Sequence, residues 1–141
     1  MKNALLPIIL LFTVNLFAQD LQKHRWQNRL LIIVDNEVNS ANRLAQLAVL
    51  KADIKGLKER KLLVYQFTKN GYQKGFSNQD SWLAITEKMT RINPEKSAFT
   101  LYLIGLDGGV KMEKEGVVTL TSIFTLIDGM PMRRAEMQDN W

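Results

Sequence analysis

Cysteine is absent from the 141 residues, and histidine occurs once. Without a thiol there is no disulfide, no thiolate nucleophile, no CxxC redox chemistry and no thiolate metal site. A lone His24 leaves no multi-histidine metal centre. Proline is scarce, at three residues, and no linker, low-complexity tract or internal repeat divides the chain. Charge of one sign is also missing: 19 Lys+Arg stand against 14 Asp+Glu, a net +5. The bases are interleaved with acids, Lys51, Lys55, Lys58, Arg60 and Lys61 with Asp53 and Glu59, and Lys111 and Lys114 with Glu113 and Glu115. That is a mixed solvated surface rather than a phosphate-tracking stripe, so nucleic acid is not an expected partner. What is present is a core: 46% of residues are hydrophobic and 23% charged, which excludes a disordered or collagen-like chain. The length suits one domain.

The longest apolar run opens the chain. Met1-Lys2-Asn3 is a short basic start, Ala4 to Phe17 is apolar apart from Pro7, Thr13 and Asn15, and Ala18 precedes polar Gln19-Asp20. This is the pattern of a signal peptide over residues 1–18, cleaved after Ala18. The run is shorter than the roughly 20 residues of a spanning helix. No cysteine follows it, so no lipid-modified N-terminal Cys is expected. Residues 19–141 keep a net +4, Lys2 being the charge removed, and hold no other transmembrane candidate. A periplasmic or secreted domain is expected.

Leu30 to Val34 is a continuous apolar run, the mark of a strand buried on both faces. Asn39 or Ser40 can cap a helix over roughly residues 40–55, with Leu44, Leu47, Ala48 and Ile54 on its apolar face and Gly56 closing it. Leu62 to Phe67 reads as a second strand, and Asn70-Gly71 as a tight turn. Ser77 with Asp80 forms a capping box for a helix over about 78–92, with Trp82, Ile85, Met89 and Ile92 on one side and Asn93-Pro94 as its stop. Ala98 to Ile104 reads as a central strand. Asp107-Gly108-Gly109 offers a hairpin turn into Val110 to Glu113, an antiparallel strand near an edge with Val110 and Met112 inward. Leu120, Ile123, Phe124 and Ile127 fall at i, i+3, i+4, i+7, a helix packing one face on a sheet. Gly129 and Pro131 stop it, leaving a polar tail. The order is β-α-β-α-β-β-α, that of the thioredoxin fold: α/β, with a mixed central sheet and helices on both faces. Crossover helices predict that the first three strands are parallel and the last antiparallel.

A thioredoxin-like enzyme carries its thiol in the loop after the first strand, where the helix N-terminus stabilises a thiolate. Here that loop reads Asp35 to Ser40, with no nucleophile. Asp35 and Glu37 oppose anion binding there. Ser97-Ala98 stands where a cis-proline would precede the third strand, so both landmarks point away from disulfide exchange. Asp107 and Lys111 flank a glycine-rich turn between two strands, a potential acid–base pair rather than a phosphate loop. The segment from Ile127 to Met137 holds Asp128, Met130, Met132, Arg133, Arg134 and Met137. Arg133 and Arg134 suit bidentate contacts to carboxylate or phosphate. The three methionines suit Cu(I) as soft thioether ligands; alternatively Met130 and Met132 fill core gaps while the arginines pair with Asp128, Glu136 or Asp107. His24 reads as a surface residue, Trp26 as an anchor of the N-terminal segment, and Arg29 as a strand-entrance cation paired with a carboxylate.

Arg25-Trp26-Gln27-Asn28-Arg29-Leu30-Leu31, Glu59-Arg60-Lys61-Leu62, Leu103-Ile104-Gly105 with Asp107 to Lys111, and Ile127 to Arg134 together resemble a domain-of-unknown-function family of bacterial exported proteins. The same domain occurs in vertebrate extracellular proteins of the equarin, Drs and sushi-repeat group. The resemblance covers nearly all of residues 19–141, and Leu106 departs from it where a basic residue is expected before the turn. It implies a thioredoxin-like fold and an extracytoplasmic location, and it supplies no activity or catalytic residue. The expectation is a non-redox binding or structural module without cofactor. Its contact surface would be Asp107, Lys111, Arg133 and Arg134, and its partner an envelope or extracellular protein or a small anion. The rival is a thiol-independent enzyme or anion-binding protein using Asp128, Arg133 and Arg134, and metal handling through Met130, Met132 and Met137 is a third class.

Overall fold

β1 (Arg29–Val34) is buried at every position, as its unbroken apolar run requires. In the computed structural model, which describes residues 19–37, 40–76, 82–84 and 98–139, this strand is the spine. It pairs on one side with β2 (Leu62–Thr68), parallel, and on the other with β4 (Thr100–Ile104), antiparallel. β3 (Gly71–Lys74) forms a hairpin with β2, and β5 (Val110–Glu115) one with β4, so the described strands make one mixed sheet in the order β3-β2-β1-β4-β5. The predicted parallel third strand is therefore corrected: Leu30 faces Ile104 and Val34 faces Thr100, so the C-terminal end of β4 lies beside the N-terminal end of β1. β3 is a further strand, the outcome of the tight turn expected at Asn70-Gly71.

Alternation sends Leu31 and Ile33 to one face and Leu30, Ile32 and Val34 to the other. The first face is covered by α2 (Ala41–Lys51), α3 (Ile54–Glu59) and α4 (Leu120–Asp128), through Leu47, Leu50, Leu57, Ile123 and Ile127. On the second face Leu21 of α1 (Gln19–Gln22) joins Tyr65, Phe67 and Ile104. The helix expected over 78–92 falls mostly outside the described residues. Where it is described it is not helical: Leu83 and Tyr72 exchange backbone hydrogen bonds of 2.9 Å, so the chain there runs beside β3. Among the described residues no helix is long and apolar enough to cross a membrane.

Four local expectations change. α2, capped by the Ser40 hydroxyl accepting from the Arg43 N–H, turns Arg43, Gln46, Leu47 and Leu50 inward and leaves Leu44 and Ala48 exposed. The burial of two polar residues is made affordable by bonding: the Gln46 amide donates to the Val118 carbonyl at 2.9 Å and accepts from its N–H at 2.8 Å, and Arg43 donates to the Gln66 side chain. Gly56 does not close that helix. The chain breaks at Ala52-Asp53, the Asp53 carboxylate caps α3, and Gly56 lies inside α3, where a Cβ would come within 2.8 Å of the Phe124 ring. The polar tail is in fact α5 (Pro131–Asp139), with proline at its first position, where its missing N–H costs nothing. Val110 is exposed rather than inward, because the register of β5 against β4 shifts between Leu103 and Ile104.

Replacing Gly56 by Ala is expected to destabilise the fold by about 1–3 kcal/mol, through overpacking of Phe124 and displacement of the Asp53 cap. Urea denaturation measures this, and an unchanged midpoint would contradict the close α3–α4 approach.

Candidate functional site

The N-terminal ends of β1 and β2 and the β4–β5 turn share one end of the sheet. Two clusters lie there, on opposite faces. On the helical face Arg29 enters β1 fully buried, donating to the Arg60 carbonyl at 2.8 Å and to Glu136 at 3.2 Å, so the expected carboxylate partner is found on α5. Arg60 forks onto both oxygens of Asp128 at 3.0 and 2.8 Å while its guanidinium stacks 3.8 Å from the Phe124 ring centroid. Arg133 donates to Asp128 at 3.2 Å and to the Glu59 carbonyl at 3.0 Å, and lies 3.5 Å from Glu136. Burial alone would raise the Asp128 carboxyl, but the hydrogen bonds from Arg60 and Arg133 outweigh it and hold it below the usual range.

Asp128 and Arg133 are thus brought together, and the contacts they make are internal. Arg133 is 7% exposed, whereas Arg134, one residue further round the helix, faces solvent. Helical geometry parts the two guanidinium groups by about 100°. The methionines are dispersed as well: Met130 packs against the core, Met132 is exposed, and Met137 is half-buried on α5. Glu136, expected as a partner of the arginine pair, does lie 3.5 Å from Arg133, but its bond to Arg29 and that of Arg60 to Asp128 had no sequence signal, since those partners are 107 and 68 residues away in the chain.

On the other face is a pocket of about 190 Å³ between the α1–β1 turn and the β4–β5 turn. Leu21, Leu30, Ile32 and Ile104 make its apolar wall, and His24, Arg25, Asn28 and Asp107 its polar side. His24 is buried, 8% exposed, not a surface residue: its Nε2 and the Tyr65 hydroxyl form a 2.7 Å hydrogen bond. Burial, then Lys23 and Lys74, push the His24 ring below its ordinary pKa, and burial pushes the Tyr65 phenol up, so both groups are neutral at pH 7. Burial of His24 follows from the tertiary position of Tyr65, which no local pattern announces. Trp26, expected as an anchor, is 60% exposed, and its backbone sits at φ 67 with its N–H donating to the Leu106 carbonyl at 2.7 Å.

Asp107 and Lys111 are also brought together. Lys111 donates to the carboxylate at 2.8 Å and the Gly109 N–H at 2.9 Å, and the first of these bonds leads in holding Asp107 below the usual carboxylate range. Gly108, at φ 81, allows the turn. At the opposite end of the sheet, Asp35 turns back to accept from the Glu37 N–H at 3.1 Å, and buried Arg43 lies 5.6 Å from the Trp82 ring centroid. Burial lowers the Arg43 guanidinium, while Asp35 acts to raise it. Among the described residues no three His, Cys, Asp or Glu side chains gather as a metal site.

Comparison with known families gives one result: the family model described as Domain of unknown function (DUF4174) matches residues 20–136. No curated protein and no solved structure matches the chain.

Arg133→Ala strips partners from two carboxylates in a largely buried network and is expected to cost about 3 kcal/mol. Arg134→Ala, at an exposed position, should stay within about 0.5 kcal/mol. Denaturant midpoints of the two variants test this, and equal losses would refute the inward–outward split. For His24 the folded state holds the neutral ring, so the unfolded chain binds more protons below pH about 6.5. Stability contributed by His24 is complete above that pH and falls as acid approaches its lowered folded value. Stability measured between pH 7 and 5 should decline in the wild type and be flatter in His24→Gln.

Proposed function

The chain belongs to the DUF4174 family, and we propose that it is an exported, non-redox thioredoxin-like module that binds a small ligand in the pocket between its α1–β1 and β4–β5 turns. The thioredoxin-like reading is supported by the strand neighbours β2-β1-β4-β5, by α2 and α3 linking β1 to β2, and by α4 following the β4–β5 hairpin. The loop that would bear a thiol in such a fold runs from Asp35 to Ser40, without cysteine. Export is supported by the composition of residues 1–18. The relation to the equarin, Drs and sushi-repeat proteins belongs to the same proposal.

The observation that carries the binding reading is the pocket itself: four aliphatic side chains facing polar groups of two turns, the general form of a small-molecule site. Two of the segments that carry the family resemblance, Arg25 to Leu31 and Leu103 to Lys111, contribute to its walls. Asp107 lines the pocket and is held by Lys111 across the turn rather than reaching out as a free charge. Arg134 remains as a separate exposed cation on α5, available to a small anion or an envelope protein.

A small-molecule screen read by amide chemical shifts should yield ligands whose perturbations map to His24, Asn28, Gly105, Gly108 and Gly109. Perturbations confined to other surfaces, or none, would remove the pocket as the site. On export, the chain recovered from a bacterial periplasm should begin at Gln19 by N-terminal sequencing, and retention of Lys2 would refute cleavage after Ala18.

A further inference from the structure

The pocket has a lining that selects one chemical class of ligand, an inference that rests on the binding reading above. Its apolar wall is aliphatic: Leu21, Leu30, Ile32 and Ile104. Arg25 stands on its polar side. The Arg25 stem lies along Gly108, where an added Cβ would meet its Cδ at 3.6 Å, and its guanidinium carbon is 5.4 Å from the Trp26 ring centroid. Among the described residues Arg25 forms no ion pair.

The carboxylate that lines the same pocket, Asp107, is close enough to feel the Arg25 charge but makes no hydrogen bond or ion pair with it. Asp107 is committed to the Lys111 ammonium at 2.8 Å and to the Gly109 N–H at 2.9 Å. His24 is turned to Tyr65, with Lys23 and Lys74 near its ring. A cationic ligand would meet the unpaired charge of Arg25. A phosphorylated ligand of similar size would set polar surface against four aliphatic side chains, without hydrogen bonds there to replace water. The volume of about 190 Å³ is below the roughly 300 Å³ at which pockets for drug-sized ligands begin, so the ligand is small.

We propose that the pocket takes a small aliphatic monocarboxylate, its tail against Leu21, Leu30, Ile32 and Ile104 and its carboxylate on the Arg25 guanidinium. The planar fork of arginine suits two parallel hydrogen bonds to a carboxylate. The aliphatic wall supplies affinity without direction, and Arg25 fixes which end of the ligand faces solvent.

The test is an amide-shift titration of the protein with three probes of one chain length: hexanoate, 1-hexanol and hexylammonium. Hexanoate is expected to give saturable shifts at Gly105, Gly108 and Gly109, with 1-hexanol weaker by about tenfold and hexylammonium without effect. Arg25→Gln should weaken hexanoate by about tenfold while leaving 1-hexanol unchanged, and Arg134→Gln should leave both unchanged. Equal binding of hexanoate and 1-hexanol, or hexanoate binding indifferent to Arg25→Gln, would overturn the carboxylate assignment while the pocket stands as a binding site. An equal loss in Arg134→Gln would reduce the effect to bulk charge and overturn it too. Absence of pocket shifts with all three probes also overturns the assignment. The binding reading itself falls only if the broader screen finds no pocket ligand.

Discussion

The burial of β1 on both faces is the constraint from which the rest follows. A strand covered on both sides cannot leave its end groups to water, and Arg29, its first residue, is a cation taken fully inside. A buried guanidinium is tolerable only when carbonyls and carboxylates are brought to it. They arrive from far along the chain: the Arg60 carbonyl before β2 and Glu136 on α5. Glu136 in turn lies near Arg133, and Arg133 shares Asp128 with Arg60. One buried cation thus ties β1, the end of α3, α4 and α5 together. This explains why the arginines of the C-terminal segment divide into one structural and one exposed residue.

The antiparallel run of β4 has a second consequence. Because its C-terminal end lies beside the N-terminal end of β1, the glycine-rich turn at 105–109 is delivered to the end where the N-terminal segment enters. The ion network and the pocket therefore occupy one end of the sheet on opposite faces, Arg29 pointing to one and Leu30 to the other. At the opposite end, where Asp35 leads toward α2, Ser40 caps the helix and Asp35 accepts from the Glu37 N–H. Among the described residues, a ligand-sized concavity lies at the end where the N-terminal segment meets the β4–β5 turn.

Legibility in the sequence followed the reach of the forces involved. β1, β2, β4 and α4 were readable because their signals are local: unbroken apolar runs and the spacing of Leu120, Ile123, Phe124 and Ile127. The inward face of α2 was not, since hydrophobicity ranks Leu44 above Gln46, while the structure buries Gln46 for a pair of hydrogen bonds with Val118, 72 residues away. α5 has the composition of a tail because its residues are polar, yet it is anchored by Arg133 and Glu136, whose partners lie on other elements. Of the site residues, Asp107 with Lys111 and Asp128 with Arg133 were visible as neighbours in sequence. His24 was not, because its burial depends on Tyr65, 41 residues away. The antiparallel direction of β4 was equally out of reach, since element order does not fix direction when the connecting segment could cross either way.

The pocket walls are also joined to one another. Trp26 holds its backbone at φ 67, a region that costs a residue bearing a Cβ about 1–2 kcal/mol. What offsets it is a cluster of backbone bonds: the Trp26 N–H to the Leu106 carbonyl at 2.7 Å, and the Gln27 and Asn28 N–H groups to the His24 carbonyl at 2.9 and 2.8 Å. The first of these crosses from the α1–β1 turn to the β4–β5 turn, and so fixes the spacing of the two walls. Strain of this kind persists only where surrounding structure over-determines it. Here that structure includes the His24–Tyr65 bond below and the Arg25 stem along Gly108 above. The spacing of the two walls is therefore set by the fold itself, which is what the proposed binding requires, since ordering on binding would otherwise be lost from its energy. Arg25 precedes the strained residue, so its position at the pocket is set by the same bonds. The strain at Trp26 and the position of Arg25 thus rest on the same backbone bonds.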